Sequence, residues 1–152
     1  MLRILSRLKR NESGAVLVET AIVLPVLLLL FMGAFELSRA IAFHHALDKA
    51  SRDATRYAAR LPEAVATDPA NAEDIKRIFM CGNPLPCTQT AIGPGALSSF
   101  SLTSRSDQST GAPRLYLAVD ATVSYSFTLL SFLGISPTMQ FRVTHEQPFI
   151  GG

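Results

Sequence analysis

The chain has no tryptophan, only two cysteines in 152 residues, no internal repeat and no low-complexity tract beyond a run of leucines. Two cysteines cannot make a cysteine-rich zinc site. No G-x-S-x-G elbow, glycine-rich phosphate loop or H-E-x-x-H pair occurs, so the usual signatures of serine hydrolases, nucleotide-binding enzymes and zinc proteases are missing. Nothing argues for an enzyme, a cofactor or a small-molecule substrate. Excess charge is scarce as well. Of 14 basic and 12 acidic residues, four and one lie in residues 1–14, which leaves ten and eleven for the rest of the chain. A near-neutral body excludes the basic footprint of a nucleic-acid binder.

Charge is scarcest from Ala15 to Phe35, AVLVETAIVLPVLLLLFMGAF, where Glu19 is the one ionisable group. At about 1.5 Å per residue, twenty-one helical residues span roughly 30 Å, the thickness of a bilayer's hydrocarbon. Upstream stand Arg3, Arg7, Lys9 and Arg10 against Glu12, and a basic flank of this kind is normally retained in the cytoplasm. The expected organisation is a basic cytoplasmic leader at 1–14 and a transmembrane helix at 15–35. An extramembrane continuation at 36–62 and a small α+β periplasmic domain at 63–152 follow.

Helical periodicity continues past the apolar run. Leu37, Ala40, Ile41, His44, Leu47, Ala50, Ser51, Ala54, Tyr57, Ala58 and Leu61 recur at steps of three and four, with Arg39, Lys49, Arg52, Asp53, Arg56 and Arg60 largely off that stripe. Pro62 ends the pattern, because it lacks an amide donor and disfavours helix in the residue before it. One helix of roughly 45 residues from near Ala15 is expected. Pro25 lies mid-span, where it frees the Ala21 carbonyl, and a kink there is the favoured reading.

Asp68 and Pro69, followed by Glu73 and Asp74, read as the cap and first turn of a short second helix stopping near Cys81. The period then changes. From Leu115 to Phe127 apolar and polar residues alternate, Met139, Phe141 and Val143 mark a second strand, and Leu97 to Thr103 a weaker one. The fold class expected is α+β: a long helix, a short one, and an antiparallel sheet of three to four strands packed on the outer half of the long helix.

Cys81 and Cys87 bracket G-N-P-L-P in a segment read as exported, so a structural disulfide is expected. His44 and Asp48 share a helical face, but His45 points about 100 degrees away from His44 and His145 is distant in sequence, so no metal site is expected. Glu19 is harder to dismiss. A carboxylate in a bilayer costs about 2.5–3.5 kcal/mol on insertion scales, which points to a functional partner. The alternative is that Glu19 reaches the headgroups from one turn inside.

The segment GAVLVETAIVLPVLLLLFMGAFELSRA resembles the TadE-like family of pseudopilins in tight-adherence pilus systems. Its carrying residues are the basic head, Gly14, Glu19, Pro25, and the exit pair Glu36 and Arg39. The resemblance implies cleavage between Gly14 and Ala15 by a prepilin peptidase acting on a class III signal sequence. It implies that Glu19 then pairs with the new Ala15 ammonium of a neighbouring subunit and sets axial register. It further implies a non-enzymatic minor pilin or pseudopilin of the bacterial inner membrane, whose partners are other pilins and the pilus assembly machinery, with a role in adhesion. One departure is Thr20, where such members often carry an aromatic residue.

Two other readings stay open. A secreted protein would be cleaved near Ala34, after the small residues of Met32-Gly33-Ala34, although the apolar run exceeds an ordinary signal core. A plain single-pass anchor would carry a periplasmic binding domain unrelated to pili.

Overall fold

A computed structural model describes residues 12–68, 71–88, 90, 92–93, 95–108, 113–131 and 134–150. Within them the protein is α+β, with one long helix, short helices and a three-stranded antiparallel sheet. The chain divides into two compact units, Met1–Leu37 and Ser38–Gly152.

Helix α1 runs from Glu12 to Ala58 without interruption at Pro25. It ends by tightening. The Arg60 and Leu61 amides donate to the carbonyls of Tyr57 and Ala58, three residues back, and Pro62 cannot continue the ladder. The Pro62 carbonyl then accepts from the Val65 and Ala66 amides and starts the single turn α2, Glu63–Ala66.

In the second unit α1 buries one stripe, Ala40, Phe43, Leu47, Ser51, Ala54, Thr55 and Ala58, which Ala59 just past its end extends. This corrects the stripe expected from periodicity, because Ile41 is exposed and Phe43 is buried. Periodicity alone gives the width of an apolar face, while the covering element selects its centre. The two hydroxyls in the stripe are satisfied within the helix. Ser51 donates to the Asp48 carbonyl and Thr55 to that of Ser51, at 2.9 and 2.7 Å.

Helix α3, Ala72–Cys81, begins later than the Asp68 cap implied. Asn71 occupies the cap position, and its amide and side chain both donate back to Asp68. Asp68 therefore closes the turn ahead of the helix. Pro69 lies outside the described residues. Ile75, Ile78 and Phe79 are buried, and the Phe79 ring lies 5.7 Å from that of Phe100. Gly82 ends α3 at φ 75°, a left-handed position that suits a residue without Cβ. Just before it Cys81 is bonded to Cys87.

Strands β1 (Ala96–Asp107), β2 (Arg114–Ser126) and β3 (Thr138–Pro148) lie in that order, every neighbour antiparallel. The central strand carries the clean alternation, with Leu117, Val119, Ala121, Val123 and Tyr125 all buried. Strand β1 is longer than its sequence suggests, since it pairs along β2 as far as Asp107 with Arg114 despite a bulge near Leu97. Its neighbour supplies order that its own serine-rich sequence does not. The opposite face is polar. Asp120 accepts from Arg142 and Thr144, and Arg105 donates to Glu146 at 2.8 Å. That hydrogen bond and the Glu146 charge raise the Arg105 pKa above its ordinary value.

Helix and sheet meet along the buried stripe. Phe43 packs against Tyr125 and Phe141, with ring centres 4.9 and 5.7 Å away. Further along, Thr55 donates to the His145 carbonyl and the Ile150 amide to that of Ala59. Gly95 makes the Phe43 position available, because a Cβ there would stand 2.4 Å from the ring.

Candidate functional site

The sequence-derived site residues fall mainly on the first half of α1. From Gly14 to Phe31 every side chain is exposed, among them Leu17 and Phe31 at 71%. Among the described residues α1 is the one helix long and apolar enough to cross a membrane. Burying a Val, Leu or Phe side chain contributes about 1.5–3 kcal/mol, and exposed apolar patches of soluble monomers seldom exceed a few hundred Å². An all-round apolar cylinder of this length therefore needs a non-aqueous neighbour, either lipid or other apolar helices.

The polar inventory of that cylinder is short. Thr20 turns its hydroxyl back to the Val16 carbonyl at 2.8 Å, so its side chain makes no demand on the surroundings. Glu19 differs. Its carboxylate is exposed and has no hydrogen bond or ion pair among the described residues. A carboxylate in an apolar medium requires a donor or a counter-charge, and this helix offers none to its own Glu19.

Gly14 is likewise unexplained by the fold. Nothing lies within 4 Å of where its Cβ would stand, and glycine inside a helix costs about 0.5–1 kcal/mol relative to alanine. Among the described residues no contact offsets that cost. Ala15 follows on the same exposed turn, and the basic residues 3–10 lie outside the described residues.

The exit pair behaves otherwise. Glu36 is 1% exposed and Arg39 half-buried, and both are engaged in interactions with neighbouring groups. Sequence reasoning placed Glu36 at a membrane surface and missed its burial. The available signal was its spacing of four from Ala40 and seven from Phe43, which sets it on their stripe. Cys81 and Cys87 form a separate structural feature, with Cα atoms 6.2 Å apart. His44 Nδ1 lies 3.3 Å from Asp48 Oδ2, an i,i+4 pair on the surface of α1.

What this arrangement can do is associate. It presents apolar surface on all sides and, among the described residues, one acid without a partner near its start. Residues 14–56 match the model of the TadE-like protein family. No curated protein and no solved structure matches the chain.

Proposed function

We propose that this TadE-like, pilus-associated chain is a non-enzymatic minor pilin or pseudopilin, held in the bacterial inner membrane by the first half of α1. The leader at residues 1–14 stays in the cytoplasm, and the sheet-bearing unit lies in the periplasm or on the fibre. A prepilin peptidase cuts between Gly14 and Ala15. The unneeded glycine supports this reading, since a helix with open space at Gly14 has no packing reason to exclude a side chain.

The observation that carries the proposal is Glu19, the exposed acid that has no partner among the described residues of an apolar helix. After cleavage it is the fifth residue, within reach of the Ala15 ammonium of an adjacent subunit. Such a pair satisfies two charges in low dielectric and fixes the axial offset between helices, although a buried pair need not add net stability. Its contribution is register. Pilins and pilus assembly proteins are the partners, and the apolar face of α1 supplies most of the contact area.

Glu19→Gln tests this directly. The variant is expected to insert and to be cut like the parent, while its incorporation into pili or co-purification with other pilins falls about tenfold, the equivalent of roughly 1.4 kcal/mol. Incorporation at the parental level would overturn the register role. Sequencing the mature amino terminus checks the cut: Ala15 supports it, Phe35 would indicate a secreted protein, and an intact leader would indicate a plain anchor.

A further inference from the structure

Strand β1 is an edge of the sheet, and its outer side is open. The Phe149 amide donates to the Leu115 carbonyl, which turns the main-chain groups of Leu115 toward β3. These groups alternate in direction along an antiparallel strand, so Leu117, Val119 and Ala121 also serve β3, while Tyr116, Ala118, Asp120 and Thr122 serve β1. Their partners there are Arg105, Thr103, Ser101 and Ser99. The N–H and C=O groups of Phe100, Leu102, Ser104 and Ser106 are therefore directed away from the sheet. Among the described residues no other backbone bond reaches them. From residue 100 to 106 the strand has no proline, lysine or bulge, the usual guards of an exposed edge.

Helix α3 borders this edge without closing it. Its residues Ala72, Lys76 and Met80, a single row at steps of four, face β1 across two recesses. One, of about 240 Å³, lies between residues 100–104 of β1 and residues 66–68 with Ala72. The other, of about 350 Å³, lies between residues 97–100 and Lys76 with Met80. Each lining holds one charged residue, Asp68 in the first recess and Lys76 in the second. Phe100 and Leu102 are half-buried against the core between them.

We propose that β1 and α3 together hold an extended peptide segment of a partner protein, added to the sheet as a fourth strand antiparallel to β1. An extended backbone is the occupant because it alone matches outward donors and acceptors that recur at every second residue. Charge sets its chemistry and direction. A segment antiparallel to β1 enters beside residue 104 and leaves beside residue 97, so a basic residue near its start meets Asp68 and an acidic residue near its end meets Lys76. Asp68 accepts from Asn71, and Lys76 lies 3.3 Å from Glu73, exposed contacts weak enough to be shared. Between the two charges, every second side chain of the segment turns into the recesses, where apolar groups of valine size meet Phe100 and Leu102. A second copy pairing through its own β1 would bring another α3 to the border that this α3 already occupies, so a lone segment fits better. Every residue of the site lies in the second unit, and the proposal is independent of where the first half of α1 is seated.

The test is amide hydrogen exchange, read by nuclear magnetic resonance on the full chain in detergent micelles. The probe is a synthetic peptide of about seven residues that begins with lysine, ends with glutamate and alternates threonine and valine between. Millimolar peptide is expected to slow exchange at Leu102 and Ser104 about tenfold, while Thr103, already bonded to β2, changes little. Lys76→Glu, and separately a peptide with its lysine and glutamate exchanged, should each weaken binding about fivefold. Ser104→Pro removes an outward donor, leaves the ladder to β2 in place, and should weaken binding about tenfold. Unchanged exchange at Leu102 and Ser104 in the parent chain would overturn the proposal. Equal binding of the two peptides would overturn the chemistry and direction assigned to the segment. Protection of Leu102 and Ser104 that rises with protein concentration and needs no peptide would overturn it in favour of a second copy.

Discussion

The two halves of α1 are one helix with two surfaces. Before Phe31 all sides are apolar and exposed, whereas after Ser38 a single stripe is buried and the charged residues Lys49, Arg52, Asp53 and Arg56 stay wet. Backbone geometry does not distinguish them. The second half has a partner within its own chain and needs one apolar stripe, while the first is apolar all round and has no such partner among the described residues. A helix thus records the medium it is built for in the width of its apolar face. The same contrast separates two acids: Glu36 is buried and engaged, and Glu19 is exposed with no partner among the described residues.

The largest effect that would sharpen this contrast is truncation of an aromatic ring on either side of it. Phe43→Ala should destabilise the second unit by about 3–5 kcal/mol, since it empties the contact with Tyr125 and Phe141. Phe31→Ala should leave its denaturant midpoint unchanged. Equal losses from both substitutions would break the division into two surfaces. A smaller effect runs in the opposite sense. Leu27→Arg should cost about 2.5–3.5 kcal/mol of membrane insertion and shift the protein toward the soluble fraction, with the unfolding of the second unit unaltered. If the variant fractionates with membranes as the parent does, the first half of α1 is not a span.

The smallest of the three concerns the fit of helix to sheet. Gly95→Ala places a methyl group against Phe43 and Val123, and overpacking of this kind costs about 1–3 kcal/mol. Thermal unfolding monitored by near-ultraviolet circular dichroism should show the loss. A parental transition temperature would mean that the ring and its surroundings relax without strain.

Much of this architecture was legible in the residues. The alternation from Leu115 to Phe127 named the central strand because β2 is paired on both edges and covered on one face. Such a strand must alternate, so its pattern is strong. The edge strand β1 read weakly, since much of it is exposed and its serines cost little there. Phe43 was missed for another reason: it lies one position from the Ala40–His44 row, and only the rings of Tyr125 and Phe141 decide which row turns inward. The start of α3 was misplaced because Asp68 and Asn71 are both good cap residues, and Asn71, whose amide and side chain donate to Asp68, is the one that stands at the cap.

The sequence by itself determined the apolar run, the lone acid five residues after Gly14, the pair of cysteines and the alternation of β2. Each is a one-dimensional property, set by composition and period against a uniform surrounding. Tertiary structure alone decided which stripe of α1 faces the sheet and that Glu36 is buried. Those outcomes depend on which residues distant in sequence come together, and a period carries no information about its partner.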